Sequence, residues 1–300
     1  MIQYKIAILI PYFGSWPIWM PYYLNSCRYN PNVDFLFFTN LPPLNESPGN
    51  VIYHKMNFDT LIKLAEQKLR LEIKFEDPYK LCDLKPAYGL IFQDYISDYD
   101  FWGHGDIDLI YGRISSFYTR KKLKRFDVLT CRRGIVSGQL TLYRNLLCIN
   151  SLFLGIKNLN NLINSSRLEY VDEQHMYTLL KEKKGTVKTF FKEMLSEDAL
   201  NRMRNRHHYL YSWKNGRLVD MLLLKETLLF HFIENKRKPL FTDSFNKQLP
   251  NQEFLITEKG IIIPTSKYQK AGFILFHFRK SYKYLLKRLA KKVLQPSIDY

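Results

Sequence analysis

Apolar and polar positions in the first half of the chain follow two periods, one typical of buried strands and one typical of helices. Continuous apolar runs at 5–10 and 34–39 predict parallel strands that are covered on both faces. Between 59 and 71 the apolar residues recur at helical spacing. Pro86 stands at a permissible first position of a further predicted helix over 86–96. Strands that alternate with helices predict an α/β fold with a mainly parallel sheet.

The second half of the chain has a less regular pattern. Segments 139–144 and 227–233 are predicted strands, and 145–163 and 172–182 are predicted helices. An Asn-Gly pair at 215–216 favours a tight hairpin turn. The pattern contains no internal repeat.

The segment that says most about chemistry is YDFWGHGDIDLIYG at 99–112. A predicted strand at 100–102 runs through two glycines into Asp106 and Asp108. Carboxylates two residues apart can face one point beyond the strand end, where ligands bind in open α/β sheets. Together with water and phosphate oxygens they suit the octahedral shell of Mg²⁺ or Mn²⁺. The alternative interpretation is a solvated acidic turn.

A second candidate block, YKLCDLKPAYG, lies about twenty residues earlier, at 79–89. Asp83 and Lys85 stand immediately before the helix predicted to start at Pro86. The carboxylate could accept a hydrogen bond from a base or a ribose hydroxyl, and the lysine and the helix N-terminus could face phosphate. A helix cap beside a surface lysine is the alternative.

Four blocks of the sequence together resemble a bacterial glycosyltransferase family, long known only as a domain of unknown function, whose members lie in capsule and lipopolysaccharide gene clusters. The family is similar to nucleotide-sugar transferases of the GT-A fold, and the resemblance runs from residue 4 to about 240. The blocks are ILIPYFG (8–14), YKLCDLKPAYG (79–89), YDFWGHGDIDLIYG (99–112) and SGQLTLYRN (137–145).

The resemblance implies a GT-A-like, mainly parallel sheet flanked by helices. It also implies transfer of a hexose from a nucleotide sugar, expected to be UDP-linked, with UDP-galactose and UDP-glucose as candidates. The implied acceptor is a lipid-linked, lipopolysaccharide (O-antigen) or capsule glycan. The implied cofactor is Mn²⁺ or Mg²⁺.

The same resemblance assigns the donor site position by position. Pro11, Tyr12 and Phe13 end the first strand, where GT-A enzymes seat the nucleotide base. Asp83 and Lys85 match the block that closes on ribose and phosphate.

The metal site follows from the same matching. Asp106 and Asp108 match the metal aspartates, and Asp106 is also counted with the nucleotide-sugar contacts. GT-A enzymes commonly add a late histidine, for which His231 is the candidate; a histidine buried within a strand is the alternative. Gly105 departs from the pattern because a larger residue often stands there, which implies an altered pocket wall.

Two further sets of charged residues are candidates for the reaction itself. Lys236 and Arg237 follow His231 and could neutralise the leaving diphosphate. Asp172 and Glu173 open a predicted helix, and one of them could be the base that an inverting transferase needs. A retaining transferase needs no such base, and two acidic residues at a helix N-terminus are also explained by the helix dipole.

The charge balance narrows the range of partners. The chain has 45 Lys and Arg against 28 Asp and Glu, a net charge of +17 at pH 7. Such a field attracts nucleic acids, anionic membranes and phosphorylated small molecules. No helix-turn-helix, zinc or RNP signature accompanies the charge, so nucleic acid is not an expected partner. The alternative function is a nucleic-acid-binding or phosphodiester-cleaving protein that uses the basic surface and the Asp-x-Asp pair.

The C-terminal segment 278–294 has seven basic residues, no acidic residue and apolar positions at helical spacing. This pattern suits the headgroup boundary of an anionic membrane, although an ordinary packed helix with a solvated basic face would also produce it. We predict a transferase domain over 1–245, with a nucleotide-sugar half (1–130) and an acceptor half (131–245). The remainder, 246–300, is a predicted extension that carries the basic amphipathic helix.

The spacing of the cysteines and the length of the apolar runs predict the cellular compartment of the protein. The four cysteines show no CxxC spacing, the N-terminus is a poor signal peptide, and no apolar run approaches the roughly 20 residues that span a bilayer. We therefore expect a cytoplasmic protein, peripheral at the inner face of the cell membrane.

Overall fold

The computed structural model describes residues 4–203, 208–246, 253–264, 266, 269–277 and 279–280. Three β-sheets organise these residues. Their strands are β1 (Ile6–Pro11), β2 (Val33–Thr39), β3 (Val51–Lys55), β4 (Phe101–Gly105), β5 (Leu109–Tyr111), β6 (Val128–Thr130), β7 (Leu140–Arg144), β8 (Thr189–Phe191), β9 (Leu195–Glu197), β10 (Leu210–Lys214), β11 (Arg217–Asp220), β12 (Lys225–Glu226), β13 (Leu229–His231), β14 (Glu253–Thr257) and β15 (Gly260–Ile262).

Mostly short helices connect and cover these strands. The α-helices are α1 (Met20–Arg28), α2 (Phe58–Leu69), α3 (Tyr88–Ile91), α4 (Ile114–Phe117), α5 (Arg120–Arg125), α6 (Leu147–Asn150), α7 (Leu159–Ile163), α8 (Met176–Glu182), α9 (Asp198–Met203) and α10 (Pro239–Thr242). Segments Pro78–Ala87, Gln93–Tyr95, Leu152–Gly155, Asn235–Arg237 and Asp243–Asn246 are 3₁₀-helical, and Val171–His175 is one π-helical turn. Residues 269–277 are also helical.

The largest sheet has seven strands in the order β3-β2-β1-β4-β7-β6-β8. Strands β1 to β4 are parallel to one another, and β7 runs antiparallel between β4 and β6. Alternate residues of β1 enter different apolar clusters: Ala7 and Leu9 pack on one face, and Ile6, Ile8 and Ile10 pack on the other. The continuous apolar run of β1 thus reflects burial on both faces. The predicted α/β class, with a mainly parallel sheet flanked by helices, is confirmed.

Two predicted helices differ from the structure in their bounds. Pro86 does not begin a helix but lies within the 3₁₀-helix Pro78–Ala87, whose polar side chains bond to distant parts of the chain. The rest of the predicted segment is helical in two short pieces, Tyr88–Ile91 and Gln93–Tyr95. The helix predicted over 145–163 breaks into three pieces. Asn150 Oδ1 accepts a hydrogen bond from the indole Nε1–H of Trp102 at 2.7 Å, and Asn158 adopts a left-handed φ of 56°. Tertiary bonds and one strained residue therefore override the helical spacing.

Two smaller sheets complete the fold. The three-stranded sheet β5-β13-β9 sets His231 opposite Leu109 on one side and Glu197 on the other. The five-stranded antiparallel sheet β12-β11-β10-β14-β15 contains the predicted hairpin, with positive φ at both turn residues, Asn215 and Gly216. Because β14 pairs with β10, the domain boundary predicted at residue 245 runs through this sheet.

Two observations on the described part of the chain concern the predicted membrane contact. Among its residues no helix has the length and apolar character needed to cross a bilayer. The predicted amphipathic helix at 278–294 lies, apart from 279–280, outside the described residues.

Candidate active site

A cleft of about 840 Å³ opens where the parallel strands β1 and β4 reach their carboxyl ends. Long-range folding brings nearly all the predicted site residues to its walls. Those present are Pro11, Tyr12, Phe13, Asp83, Lys85, Asp106, Asp108, Asp172, Glu173, His231 and Lys236. Arg237 does not line this cleft, and its side chain is exposed.

Three of these residues form a compact group of metal-ligand type. Asp106 follows β4, Asp108 precedes β5, and His231 ends β13, so the β5–β13 pairing brings the histidine to the aspartates. One ligand atom from each residue lies within 4.8 Å of the others. Two carboxylates and one imidazole, with positions left for water and phosphate oxygens, are a donor set that fits Mn²⁺ or Mg²⁺.

Two lysines neutralise the aspartates. Lys85 Nζ donates to Asp106 Oδ1 at 2.7 Å and to the carbonyl oxygen of Gly138 at 2.9 Å, and Lys236 Nζ donates to Asp108 Oδ2. Burial alone would raise the pKa of Asp108, but His231 and Lys236 hold it well below the usual range. Burial alone would lower the pKa of Lys85, yet Asp106 and its neighbours raise it. Asp108, Lys85 and Lys236, whose pKa is also raised, are therefore ionised at neutral pH.

His231 is held on both sides of its ring. Nε2 lies 3.2 Å from Asp108 Oδ2, and Nδ1 lies 3.3 Å from Glu197 Oε2. Burial would lower the pKa of His231, but the two carboxylates raise it to about 10. His104, the other histidine of this region, is fully buried and contacts the carbonyl of Gly138, so it supports the loop.

Asp83 makes its contacts within the protein. Its carboxylate pairs with Lys80 at 2.7 Å and accepts the backbone N–H groups of Glu169 and Val171, each at 3.0 Å. Lys80 also donates to the carbonyl oxygen of Leu162. This buried pair anchors the segment that leads to Asp172. The contact of Asp83 with ribose stays a prediction.

Asp172 and Glu173 lie on the π-helical turn that follows this anchored segment. Asp172 Oδ2 is 3.5 Å from Lys85 Nζ, and Glu173 Oε1 accepts the backbone N–H of Gly138 at 3.3 Å. Burial raises the pKa of Asp172 to about 7, with Lys85 opposing the shift, and burial also raises that of Glu173. A Cβ at position 138 would lie 2.9 Å from both carboxylates, so a larger residue there would have to displace these two side chains.

An aromatic wall forms the side of the cleft predicted to seat the base. The ring of Tyr12 stacks on Trp16 at a centroid distance of 5.6 Å, and Phe13 packs edge-on against Phe58 at 5.5 Å. Gly105 lines the same cleft, and a Cβ there would lie 2.7 Å from Tyr111 Oη. The departure at Gly105 is thus explained by the tyrosine that fills the space.

Several residues that line the cleft were not among the sequence predictions, and Tyr79, Arg132 and Glu197 are three of them. Tyr79 stands at the rim with 65% of its surface exposed, while Arg132 and Glu197 lie deeper. Arg132 Nη2 lies 3.9 Å from Glu197 Oε1. Tyr79 falls within a block already singled out, but Glu197 stands in no motif. Only the parallel pairing of β9 with β13 brings it to His231.

The comparisons with known proteins begin with a family model described as "Family of unknown function (DUF6625)", which matches residues 8–265. No curated protein sequence is significantly similar to the chain. Among solved structures, the apo-form glycosyltransferase GlyE of Streptococcus pneumoniae TIGR4 is similar over 80% of this chain, with 12% identity and a TM-score of 0.45. The match covers 59% of GlyE, less than two thirds of its length.

A second solved structure, the galactosyltransferase LgtC in complex with donor and acceptor sugar analogs, is similar over 81% of this chain and 97% of its own. The identity is 10% and the TM-score is 0.44. The functional argument below rests on the geometry of the cleft and on the sequence blocks that line it.

Proposed function

The chain belongs to the DUF6625 family, and we propose that it is a metal-dependent glycosyltransferase that moves a hexose from a nucleotide sugar to a glycan. One observation carries the proposal: Asp106, Asp108 and His231 meet in a cleft at the carboxyl ends of β1 and β4, next to two lysines. A metal-ligand group beside fixed positive charge suits a diphosphate leaving group.

The residues that would hold Mn²⁺ or Mg²⁺ are Asp106, Asp108 and His231. When bound, such an ion would act as a Lewis acid that offsets negative charge on the leaving diphosphate. Lys236 reaches the same point from the 3₁₀-helix Asn235–Arg237 and is the group that would pair with a phosphate oxygen. Lys85, buried behind Asp106, would keep that carboxylate in place.

Asp172 is the candidate for proton transfer. With its pKa raised to about 7, it can both take and hold a proton near neutral pH, as a base for an acceptor hydroxyl must. An inverting transfer would use Asp172 or Glu173 in this way, whereas a retaining transfer would not. The anomeric configuration of the product, read by NMR, separates the two.

The proposed donor is a UDP-sugar, with UDP-galactose and UDP-glucose as first candidates, because the sequence blocks resemble those of such transferases. The proposed acceptor is a lipid-linked, lipopolysaccharide or capsule glycan at the inner face of the cell membrane. The basic segment 278–294 supports this location, since anionic lipids attract lysine-rich helices.

The deciding experiment is a thermal-shift and calorimetric screen of nucleotide sugars with and without Mn²⁺. We expect stabilisation by one nucleotide class only when the metal is present. The variants D106N and D108N should abolish it, together with transfer, while keeping the fold. D127N is the matched control, because Asp127 pairs with Arg144 and does not line the cleft. Near wild-type turnover in D106N or D108N would contradict the assignment.

The alternative function, cleavage of nucleic-acid phosphodiesters, would give a different result. Mn²⁺-dependent cleavage of DNA or RNA, without any stabilisation by nucleotide sugars, would favour a phosphodiester-cleaving protein. Such an enzyme usually holds two metal ions with additional carboxylates. Within the described residues the Asp106–Asp108–His231 group is the one set of three or more potential ligands.

A further inference from the structure

Glu197 contacts His231 on the side of the ring that faces away from the aspartates. The two residues are direct partners in the parallel pairing of β9 with β13. Glu197 Oε2 lies 3.3 Å from Nδ1, while Nε2 points to Asp108. Both side chains are buried, with 6% of Glu197 and 3% of His231 exposed.

We propose that Glu197 is a positioning residue that holds the His231 ring with Nε2 directed at the metal-ligand group, a role that rests on the metal site of the proposed function. A carboxylate that accepts Nδ1–H fixes the ring orientation, so that Nε2, once it has lost its proton, presents its lone pair to a metal ion. Without this partner the imidazole could rotate, or could carry its proton on the nitrogen that must bind the metal. Glu197 would therefore act through His231 and not touch the substrate.

The surroundings of Glu197 support this role. Its Oε1 lies 3.9 Å from the guanidinium of Arg132, which offsets the negative charge of the buried carboxylate. Its backbone is fixed by the β-ladder that also carries His231. A buried carboxylate costs stability unless it is paired, and Glu197 pairs with the histidine and with a cleft arginine.

Asp198, the residue after Glu197, fixes the backbone of the segment that follows β13. Its carboxylate accepts the backbone N–H groups of Glu234 and Asn235, the latter at 2.6 Å. The segment fixed in this way leads to Lys236. Two consecutive residues at the end of β9 thus support the cleft. Glu197 contacts the side chain of His231, and Asp198 binds the backbone of the segment that leads to Lys236.

The test is a Mn²⁺ titration, alone and with UDP, followed by calorimetry and by EPR of free Mn²⁺. E197A should weaken Mn²⁺ binding by about 10- to 100-fold, the scale for disrupting a partner of a metal ligand. E197Q should lose less, because its amide oxygen can still accept Nδ1–H. E193Q is the matched control, since Glu193 precedes β9 and does not line the cleft.

A double-mutant cycle separates positioning from mere folding. In an H231A background the E197A change should cause no further loss of Mn²⁺ affinity, because the residue it acts through is gone. An equal loss in both backgrounds, or wild-type Mn²⁺ binding by E197A, overturns the inference. If E197A does not fold, the same cycle with E197Q decides.

Failure of the proposed metal site gives a different result. Absence of Mn²⁺ binding by the wild-type protein, with or without UDP, or equal binding by wild type and H231A, removes the metal role of His231 and the inference with it. Wild-type binding that is lost in H231A but kept in E197A and E197Q overturns the role of Glu197 alone. Thermal unfolding without Mn²⁺ reports the folding of every variant.

Discussion

Lys236 donates a hydrogen bond to Oδ2 of Asp108, the same oxygen that His231 contacts through Nε2. An ammonium group on this oxygen competes with a metal ion for the carboxylate. A diphosphate would offer the lysine a second anionic partner at the same place. The two contacts therefore connect metal binding with nucleotide binding.

We predict opposite effects of K236A on the two ligands. Without nucleotide, Mn²⁺ should bind about 10-fold more tightly, because a charged hydrogen bond of ~1.5 kcal/mol no longer has to be broken. With saturating Mn²⁺, UDP should bind more weakly, because one cation that faces the diphosphate is lost. Calorimetric titrations measure both affinities.

The matched control for this prediction is R237A. Arg237 carries the same charge one residue later, but it is exposed and does not line the cleft. R237A should leave both affinities unchanged. If K236A weakened Mn²⁺ binding in the absence of nucleotide, competition between the lysine and the metal would be disproved.

Asp172 predicts a pH-dependent effect on stability. Its pKa in the folded protein is raised to about 7, above the ordinary value of 3.8, so the native state holds the proton more tightly than the unfolded chain does. The carboxyl therefore lowers the free energy of unfolding as the pH rises from about 4 to about 7. D172N removes this loss and should gain stability over the wild type between pH 5 and pH 8, by up to about 4 kcal/mol.

Urea unfolding of wild type and D172N without added metal, at pH 5 and pH 8, measures this difference. If D172N were less stable than the wild type at pH 8, pairing with Lys85 would outweigh burial. The same variant tests the chemistry. If Asp172 is the base, wild-type kcat/KM should rise with pH through about 7, and D172N should lack both the rate and the rise.

The buried pair of Lys80 and Asp83 predicts a loss of stability on substitution. D83N keeps the shape of the side chain but leaves the ammonium of Lys80 without its anionic partner. We expect a loss of about 3 kcal/mol in the free energy of unfolding, the scale for breaking a buried ion pair. Urea unfolding measures it, and D94N is the control because Asp94 is exposed, pairs with Lys68 at the surface and does not line the cleft.

The outcome for D83N also tests the contact with ribose. Unchanged stability with weakened nucleotide binding would support the contact predicted from the sequence. Lost stability, with nucleotide binding retained in the folded fraction, would support an anchor for the segment that carries Asp172.

The C-terminal segment predicts reversible, salt-sensitive membrane binding. Deleting 278–300 should lower association with anionic liposomes and transfer to a lipid-linked acceptor, since each basic residue contributes about 1 kcal/mol near an anionic surface. Hydrolysis of the donor without acceptor should change much less. Binding of the full chain should weaken as salt rises, because screening acts over about 8 Å at physiological ionic strength.

Sedimentation with liposomes of anionic or neutral lipid measures this association. A variant with Lys283, Lys287 and Lys291 changed to Gln keeps the length and the apolar positions but removes three positive charges. It therefore measures the electrostatic part of the association separately. If the truncated protein sedimented with anionic liposomes as the full chain does, the segment would have a structural role only.

The sequence alone determined the local features of the fold and one part of the site. The strands near 5–10 and 34–39, the helix from Phe58 and the hairpin at 215–216 follow from apolar runs, helical spacing and turn chemistry within a few residues. The Asp106–Asp108 pair is equally local, because two positions along an extended chain place both carboxylates at one strand end.

The tertiary structure decided which distant groups meet these local features. His231 reaches Asp108 through the pairing of β13 with β5, and Glu197 reaches His231 through the pairing of β9 with β13. Asp83 bonds to backbone groups more than eighty residues away, and this overrides the helix start that Pro86 signals locally. Arg237, one position from Lys236, is turned away from the cleft by the local 3₁₀-helix. The physical reason is that local spacing fixes backbone periodicity, whereas the partner of a buried charge depends on strand register and on desolvation, which only the packed chain defines.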